Sequence, residues 1–419
     1  MIHPFQSTPL SKVVGTPSRT RRRTSAAALG LALAASAAGV AGATTAPASP
    51  IDTGANPSGC VEGAEQGAEL FPDQFTVQNA ANFTLTYESN YKVLTVGETS
   101  PEAGTHTYVL VQCGTEAPAL EGDLADATVV AIPITTMFSE STSHNGFIDV
   151  LDLEDTVTGV SDGSWIVTPS LRERIDAGEI ESFNTTGVID TEVIVAADPD
   201  VYVTGGFDDP AHEAVAEAGI PIVANAEWLE NTPEGWAEWV GLFAALTNTE
   251  ARANELYSDW IAGYDAAAAL VEGVTEQPTV ITGGLYEGTW FANGGDSITA
   301  EFIADAGGDY VYDDDPDTGS IELDIETALA EGAEADVWLL ANGFTTEDEA
   351  LAADARNEEF NAWDEGGVWI NSIPSDPSVN PFEQGPVMID EYLLDYIEIL
   401  HPELVPDHEL VFFSAVPES

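Results

Sequence analysis

Three observations predict an α/β fold of two similar lobes with a ligand cleft between them. Helix-like and strand-like segments alternate in two blocks, roughly residues 128–224 and 279–370. A single long helical segment separates the blocks, and one short pattern recurs in both. Such alternation points to mainly parallel sheets, because parallel neighbours need a crossover connection.

The elements follow in chain order. Between Phe75 and Cys113, FTVQ, FTLTYE, YKVLTV and HTYVLVQC alternate apolar with polar residues and predict strands. TVVAIP at 128–133 predicts a buried strand, followed by a polar loop over Thr135–Asn145 and a helix in FIDVLDL. VTGVSDG predicts a strand and turn, and Leu171–Ala177 a helix stopped by Gly178. TEVIVAADPDVYVTGG reads as helix, proline turn and strand; HEAVAEAGIPIVAN repeats that order, with Gly219 ending its helix.

TPEGWAEWVGLFAALT predicts one amphipathic helix. NTEARANELYSDWIAGYDAAAALVEG predicts a longer one that Asn248 or Thr249 can cap. Its ~24 residues would span ~36 Å, a suitable length for a rigid connector between lobes. In the second block PTVITGGL predicts a strand and SITAEFIADAGG a helix. IELDIETALAEGAEADVWLLANG and NEEFNAWDEGGVWI each predict a helix followed by a strand. PVMIDEYLLDYIEILHP predicts a C-terminal helix, and HELVFF a last short strand.

The recurring pattern is a Glu opening a helix, an Ala-rich body, and Asp-Val-aromatic starting a strand. Glu192 leads to Asp200 in the first copy and Glu326 to Asp336 in the second. The implied organisation is 1–48 export signal, 49–70 linker, 71–247 N-terminal lobe, 248–273 connector helix and 274–419 C-terminal lobe.

Composition narrows the function. The chain has 419 residues, 44% of them hydrophobic, enough to bury large cores. It carries 73 Asp and Glu against 10 Lys and Arg, a net charge of −63. Half of those basic residues precede residue 50. Such a surface repels nucleic acid and anionic lipid, and excludes both as partners. Acidic residues spread along the chain suit salty surroundings, where screening suppresses self-repulsion. Asp313, Asp315, Asp317 and Asp324 fall at positions 1, 3, 5 and 12 of a calcium-loop pattern, but Thr318 stands where the turn needs Gly. No metal site is assigned.

Arg19–Arg23 leads into AAALGLALAASAAGVAGA, a charged region before a short apolar one, as in an export signal. The Arg21-Arg22-Arg23 run suggests the twin-arginine route. The mature protein is then exported and not inserted in the membrane. Cys60 and Cys113 are the two cysteines, and export favours a disulfide between them over a lipid on Cys60.

G-x-S-x-G, H-E-x-x-H, C-x-x-C, Walker A and G-x-G-x-x-G are all absent from the sequence. Nothing argues for an enzyme, although a carboxylate-dependent hydrolase or lyase has no short signature; a surface structural protein is the other alternative. Aromatic and polar residues cluster where strands end, at Ser139–Asn145, Gly163–Trp165, Tyr286–Gly295 and Asn371–Gln384. Such loops form the ligand crevice of α/β sheets. The candidate ligand residues are Ser143, His144, Trp165, Tyr286, Trp290, Asn380, Phe382 and Glu383.

Several segments carry a more specific likeness. GSWIVTPSLRERIDAGEI, DTEVIVAADPDVYVTGG, EWLENTPEGWAEWVGLFAALTNTEARANELY, YEGTWFANGGDSITAEFIADAGGDYVY and VMIDEYLLDYIEILHPELVPDHELVFF together resemble the periplasmic solute-binding proteins that feed ABC importers for iron–siderophore complexes and vitamin B12. The resemblance spans about residues 75–415. It implies two Rossmann-like lobes joined by one long helix, little hinge motion, and a monomer without a cofactor of its own. It also implies that Glu192 and Glu326 dock onto arginines of an ABC transporter permease. The ligand it implies is a small-molecule metal complex, either a ferric siderophore or a corrinoid such as cobalamin. With few arginines left to meet an anion, a neutral or cationic complex is favoured.

Overall fold

The computed structural model describes residues 54–63, 67–97, 104–207, 209–340, 344, 346–363, 366–371 and 378–416. The expected export signal lies outside the described residues. Residues 48–419 belong to one unit, and the described residues hold sixteen strands and twelve α-helices.

A four-stranded sheet comes first, in the order β1 (Phe83–Tyr87), β2 (Tyr91–Val96), β3 (His106–Gln112), β4 (Thr128–Ile132). β1 to β3 run antiparallel and β4 joins β3 in parallel. Alternation sends Leu94 and Val96 of β2 into the core. β4 is an edge strand buried on one face only: Val130 and Ile132 are buried, whereas Val129 is exposed.

FTVQ is not a strand, because its neighbouring amides are claimed elsewhere. Glu238 accepts from the backbone N–H of Gln78, Asn79 and Ala80 at 2.8, 2.7 and 2.6 Å. Glu230 accepts from Ala81 and Asn82 at 2.8 and 3.0 Å. Nor is the described part of the expected linker loose. Val61 and Leu70 are buried, Cys60 and Cys113 form a disulfide, and the loop closed spans 53 residues. Such a bridge contributes about 2–4 kcal/mol by restricting the unfolded chain.

The second sheet is wholly parallel, in the order β7 (Glu181–Ser182), β6 (Val157–Val160), β5 (Met137–Ser139), β8 (Val201–Thr204), β9 (Ile222–Ala224). Its helices are α1 (Asn145–Val150), α2 (Pro169–Asp176), α3 (Thr191–Ala197) and α4 (Pro210–Glu217). β5 occupies the centre, inside the stretch expected to be a loop. The single amphipathic helix expected before the connector is two: α5 (Pro233–Glu238) and α6 (Val240–Thr247). All residues of α6 are buried, so its apolar character is not confined to one face.

The connector α7 (Glu250–Ala268) is 19 residues long, followed by a 3-10 turn at Ala269–Val271. Neither Asn248 nor Thr249 caps it with a side chain; Asn248 instead ends α6 in the left-handed conformation, at φ 61°. The start of α7 is fixed by a buried ion pair between Lys92 on β2 and Glu250, both fully shielded from solvent. Lys92 Nζ also donates to Ala245 O at 2.8 Å and Asn248 Oδ1 at 2.7 Å. Asn56 Nδ2 donates to Glu250 Oε2 at 2.7 Å, and Tyr87 Oη donates to Oε1 at 3.3 Å. One cluster thereby joins the N-terminal segment, the first sheet and the connector.

The third sheet is mixed. Its path is β13 (Ser320–Leu323), β11 (Thr289–Asn293), β10 (Thr279–Tyr286), β14 (Val337–Leu340), β15 (Val368–Ile370), β16 (Ser414–Ala415), with β12 (Asp309–Tyr310) also on β10. β10, β12, β14 and β15 are parallel, while β11, β13 and β16 are antiparallel to their neighbours. The accompanying helices are α8 (Ile298–Asp305), α9 (Ile325–Gly332), α10 (Glu347–Ala353), α11 (Pro381–Gln384) and α12 (Ile389–Leu400). The helix expected in NEEFNAW is a pair of 3-10 turns, Ala355–Glu359 and Asn361–Trp363. The last strand begins beyond HELVFF, because the buried Asp395 carboxylate captures that segment. It accepts from His408 Nε2 and the N–H of Phe412, both at 2.6 Å.

The internal repeat is a structural one. Asp200 Oδ2 accepts from Thr135 N and Thr135 Oγ1 at 2.7 and 2.8 Å, just ahead of β5. Asp336 Oδ2 accepts from Thr279 N and Oγ1 at 2.8 and 2.7 Å, at the start of β10. β5 and β10 are therefore equivalent strands, each clasped at its amino end by the Asp that opens its parallel neighbour.

The chain crosses between lobes a second time. α11 lies against α1 and the turn at Thr142–His144. There the buried Glu383 accepts from Val167 N and Thr168 N, both at 2.9 Å, and from Thr168 Oγ1 at 2.5 Å.

Candidate functional site

Loops at the carboxyl ends of parallel strands form the crevice of an α/β fold. In the N-terminal lobe these loops are 140–144 after β5, 161–165 after β6, 205–207 after β8 and 225–228 after β9. In the C-terminal lobe Tyr286 ends β10 at the tip of the hairpin to β11. Positive φ at Glu287 and Gly288, 50° and 91°, forms the two-residue turn that such hairpins need.

The exposed aromatic side chains among the described residues are Trp165 (64%), Phe207 (46%) and Tyr286 (43%). All three sit on these loops. Trp165 and Phe207 leave strands on either side of β5, about 10 Å apart at a strand spacing of ~4.8 Å. Phe207 stacks on Trp228 with centroids 4.7 Å apart and planes at 13°. Trp228 is itself held by its indole N–H on Gly205 O at 2.9 Å. Sequence reasoning missed Phe207; its signal was the Gly205-Gly206 pair ending β8.

The other candidates fall differently. Trp290 is fully buried and stacks on Trp338 at 5.4 Å, with its indole N–H on Thr282 O at 3.2 Å. Strand alternation in β11 turns Trp290 and Ala292 inward, so Trp290 is a core residue rather than a ligand contact. His144 is also fully buried: Nδ1 shares a hydrogen bond with Ser139 Oγ at 2.8 Å, and the ring packs on Phe243. Burial pushes His144 down to about 3, so it is neutral. Glu383 is engaged in the tie to Thr168 and offers no free carboxylate to a ligand.

Ser143, Asn380 and Phe382 are half-buried at the lobe junction. Ser143 Oγ lies 2.8 Å from Ser141 Oγ, and Asn380 Oδ1 caps α11 through Phe382 N at 2.8 Å. Residues 372–377 of the expected loop lie outside the described residues. Glu192 and Glu326 are exposed at equivalent places, each following an Asp N-cap in the first turn of α3 and α9. Glu326 Oε1 is paired with Arg356 Nη1 at 2.6 Å.

Beneath the loops lies Glu227, which sequence reasoning also missed. It is 1% exposed, and burial pushes its carboxyl up to about 7, with Ser143 beside it pulling partly back and Glu230 adding to the rise. Asp324 of the calcium-loop pattern caps α9 through Thr327 N at 2.8 Å, and among the described residues no three or more His, Cys, Asp or Glu side chains are grouped so that they could hold a metal ion. No helix among the described residues is long and apolar enough to cross a membrane.

The described arginines are also engaged. Arg172 donates to Gly163 O and pairs with Asp176 at 2.7 Å. Arg174 donates to Glu154 O and Val157 O and pairs with Glu179 at 3.2 Å.

Comparison with known proteins agrees with this architecture. An uncharacterized lipoprotein of Methanocaldococcus jannaschii is 25% identical over 297 residues, covering 68% of this chain and 69% of that one. Among solved structures, a periplasmic binding protein from Veillonella parvula matches with a TM-score of 0.54 at 15% identity, covering 72% of this chain and 96% of that chain. Helicobacter pylori CeuE with Ni(II) bound matches at 0.51 and 15% identity, covering 67% and 88%. A possible iron-binding protein of Staphylococcus epidermidis matches at 0.50 and 15% identity, covering 64% and 98%. These structures share the fold. The family model described as periplasmic binding protein matches residues 141–369, from the loop after β5 to β15 and more than half of the chain. The chain thus belongs to the periplasmic binding protein family, whose members bind solutes.

Proposed function

We propose that this protein is exported, captures an iron(III)–siderophore-type complex or a corrinoid, and delivers it to the permease of an ABC importer. The observation that carries the reading is the placement of the exposed aromatics, Trp165 and Phe207 in one lobe and Tyr286 in the other, on carboxyl-end loops. Flat aromatic faces suit a large, partly apolar metal complex. The fold-level neighbours include one solved with Ni(II) and one described as possibly iron-binding, which agrees with a metal-complex ligand. Protein purified from its native host should carry a chromophore visible in absorbance and identifiable by mass spectrometry. Trp165→Ala and Tyr286→Ala should each weaken binding of ferrioxamine B or cyanocobalamin by about 5- to 150-fold, the equivalent of ~1–3 kcal/mol. Their unfolding midpoints should hardly move, since both side chains are exposed. Unchanged affinity in both variants would refute the site, and catalytic turnover of the ligand would favour an enzyme instead.

Glu192 and Glu326 are proposed as the docking points, each meeting a permease arginine through charge-assisted hydrogen bonds, Glu326 by exchanging its pair with Arg356 for the permease arginine. Ala at either position should weaken uptake in reconstituted vesicles, and both together should weaken it further. Ligand affinity should stay the same. Uptake unaffected in the double variant would remove the docking role.

A further inference from the structure

We infer that the cleft selects a ligand of net positive charge. This inference rests on the binding reading above and names its substrate class.

The first line of argument is the fate of the positive charges. Every Lys and Arg among the described residues is in an ion pair: Lys92 with Glu250, Arg172 with Asp176, Arg174 with Glu179, Arg252 with Glu255 and Arg356 with Glu326. Lys92 is inaccessible. Arg172, near the Trp165 loop, holds Gly163 O with Nη1 and Asp176 with Nε and Nη2. An anionic complex would find no uncommitted cation and would have to compete with a carboxylate already in place.

The second line is the company of the aromatics. Each exposed ring has an acidic residue within three positions: Asp162 before Trp165, Asp209 after Phe207, Glu287 after Tyr286. Asp209 and Glu287 are themselves exposed. Glu140, at the end of β5, adds a carboxylate 3.2 Å from His212 Nε2. Asp162 and Asp209 each accept from a backbone N–H, of Ser164 and Ala211, with Oδ1 and stay on the same loops as the rings; aromatic faces with carboxylates on the same loops are a cation-binding combination, through the ring quadrupole and through charge. The third line is the long-range field. A chain of net charge −63 concentrates cations and depletes anions at its surface.

A series differing only in charge tests this. Ferrioxamine B carries a free ammonium; its N-acetyl derivative is neutral and its N-succinyl derivative anionic. Binding to the full protein should fall in that order, by about 3- to 10-fold per step in 0.5 M KCl, and the steps should shrink in 3 M KCl as screening increases. Aquocobalamin, a cation, against neutral cyanocobalamin repeats the comparison on a corrin scaffold. Phe207→Ala should reduce the preference for the cationic member, and Arg172→Gln should leave the order intact. A flat or reversed order on a scaffold that does bind overturns the charge inference and leaves the binding reading standing. So does tight binding of the succinyl form that Arg172→Gln abolishes. Absence of binding on both scaffolds refutes the ligand reading itself, and the charge inference with it.

Discussion

Replacing Lys92 by Met should cost about 3–5 kcal/mol of stability, the usual consequence of leaving a buried charge without its partner. Lys92 and Glu250 are both fully buried. Removing the ammonium leaves Glu250 with only Asn56 and Tyr87 as hydrogen-bond donors from side chains. It also strands Ala245 O and Asn248 Oδ1, which Lys92 holds at 2.8 and 2.7 Å. Burial already pulls the Lys92 ammonium down to about 8, against the opposing pull of Glu250, so the pair is held at a desolvation cost. Lys92→Met with Glu250→Gln should therefore recover at least half of the loss, since no charge remains buried. Denaturant unfolding at fixed high KCl measures both. A loss below about 1 kcal/mol in the single variant would show that the pair is not structurally important.

The second large effect is the response to pH, in which two buried groups oppose one another. His144 is held near 3 in the fold against about 6.5 when unfolded. Its contribution is present above 6.5 and is lost as pH falls toward 3, about 4–5 kcal/mol in all. Glu227 is held near 7 against about 4.5 unfolded. Its contribution is present below 4.5 and is lost as pH rises through 7, about 3 kcal/mol. Between 4.5 and 6.5 the two slopes largely cancel; below 4.5 only that of His144 remains. Glu227→Gln removes one slope, so the variant should gain on the wild type as pH rises from 4.5 to 7. His144→Gln should flatten the acid limb. Stability profiles of the Glu227 variant and wild type that run parallel would contradict the assignment.

The signals that revealed the lobes were those that act within a few residues. Glycines after helices, the alternation in β1 to β3, and the apolar runs of β8, β10 and β14 are local features, and they marked most element positions. What escaped depends on partners far along the chain. β5 has three residues, too few for a period, and exists because β6 and β8 flank it. The split between α5 and α6 follows from complete burial of α6, which an amphipathic pattern cannot express. Trp290 looked like a loop residue until β11 paired with β10 and β13 and turned it inward. Glu383 carries no local sign of its bond to Thr168, 215 residues away. Glu227 became visible only when strand order brought the loops after β8 and β9 to one end of the sheet, where Phe207 also lies.

Among the described residues the two lobes are joined at several places: by the connector α7, by α5 packed against α8 and α12, and by the strap that carries Glu383 onto Val167 and Thr168. A body joined at several points resists twisting far more than one hung from a single hinge. Rotation of one lobe against the other would have to extract a buried carboxylate from its three donors before any other change began. Ligand capture in such a frame is expected to proceed with little deformation, so that the affinity measured would be close to the intrinsic one, undiluted by the population of a competent state. Discrimination between ligands then rests on the outline of the cleft as folded. Enlarging or reshaping a rim side chain should alter which complex fits without altering how the protein moves.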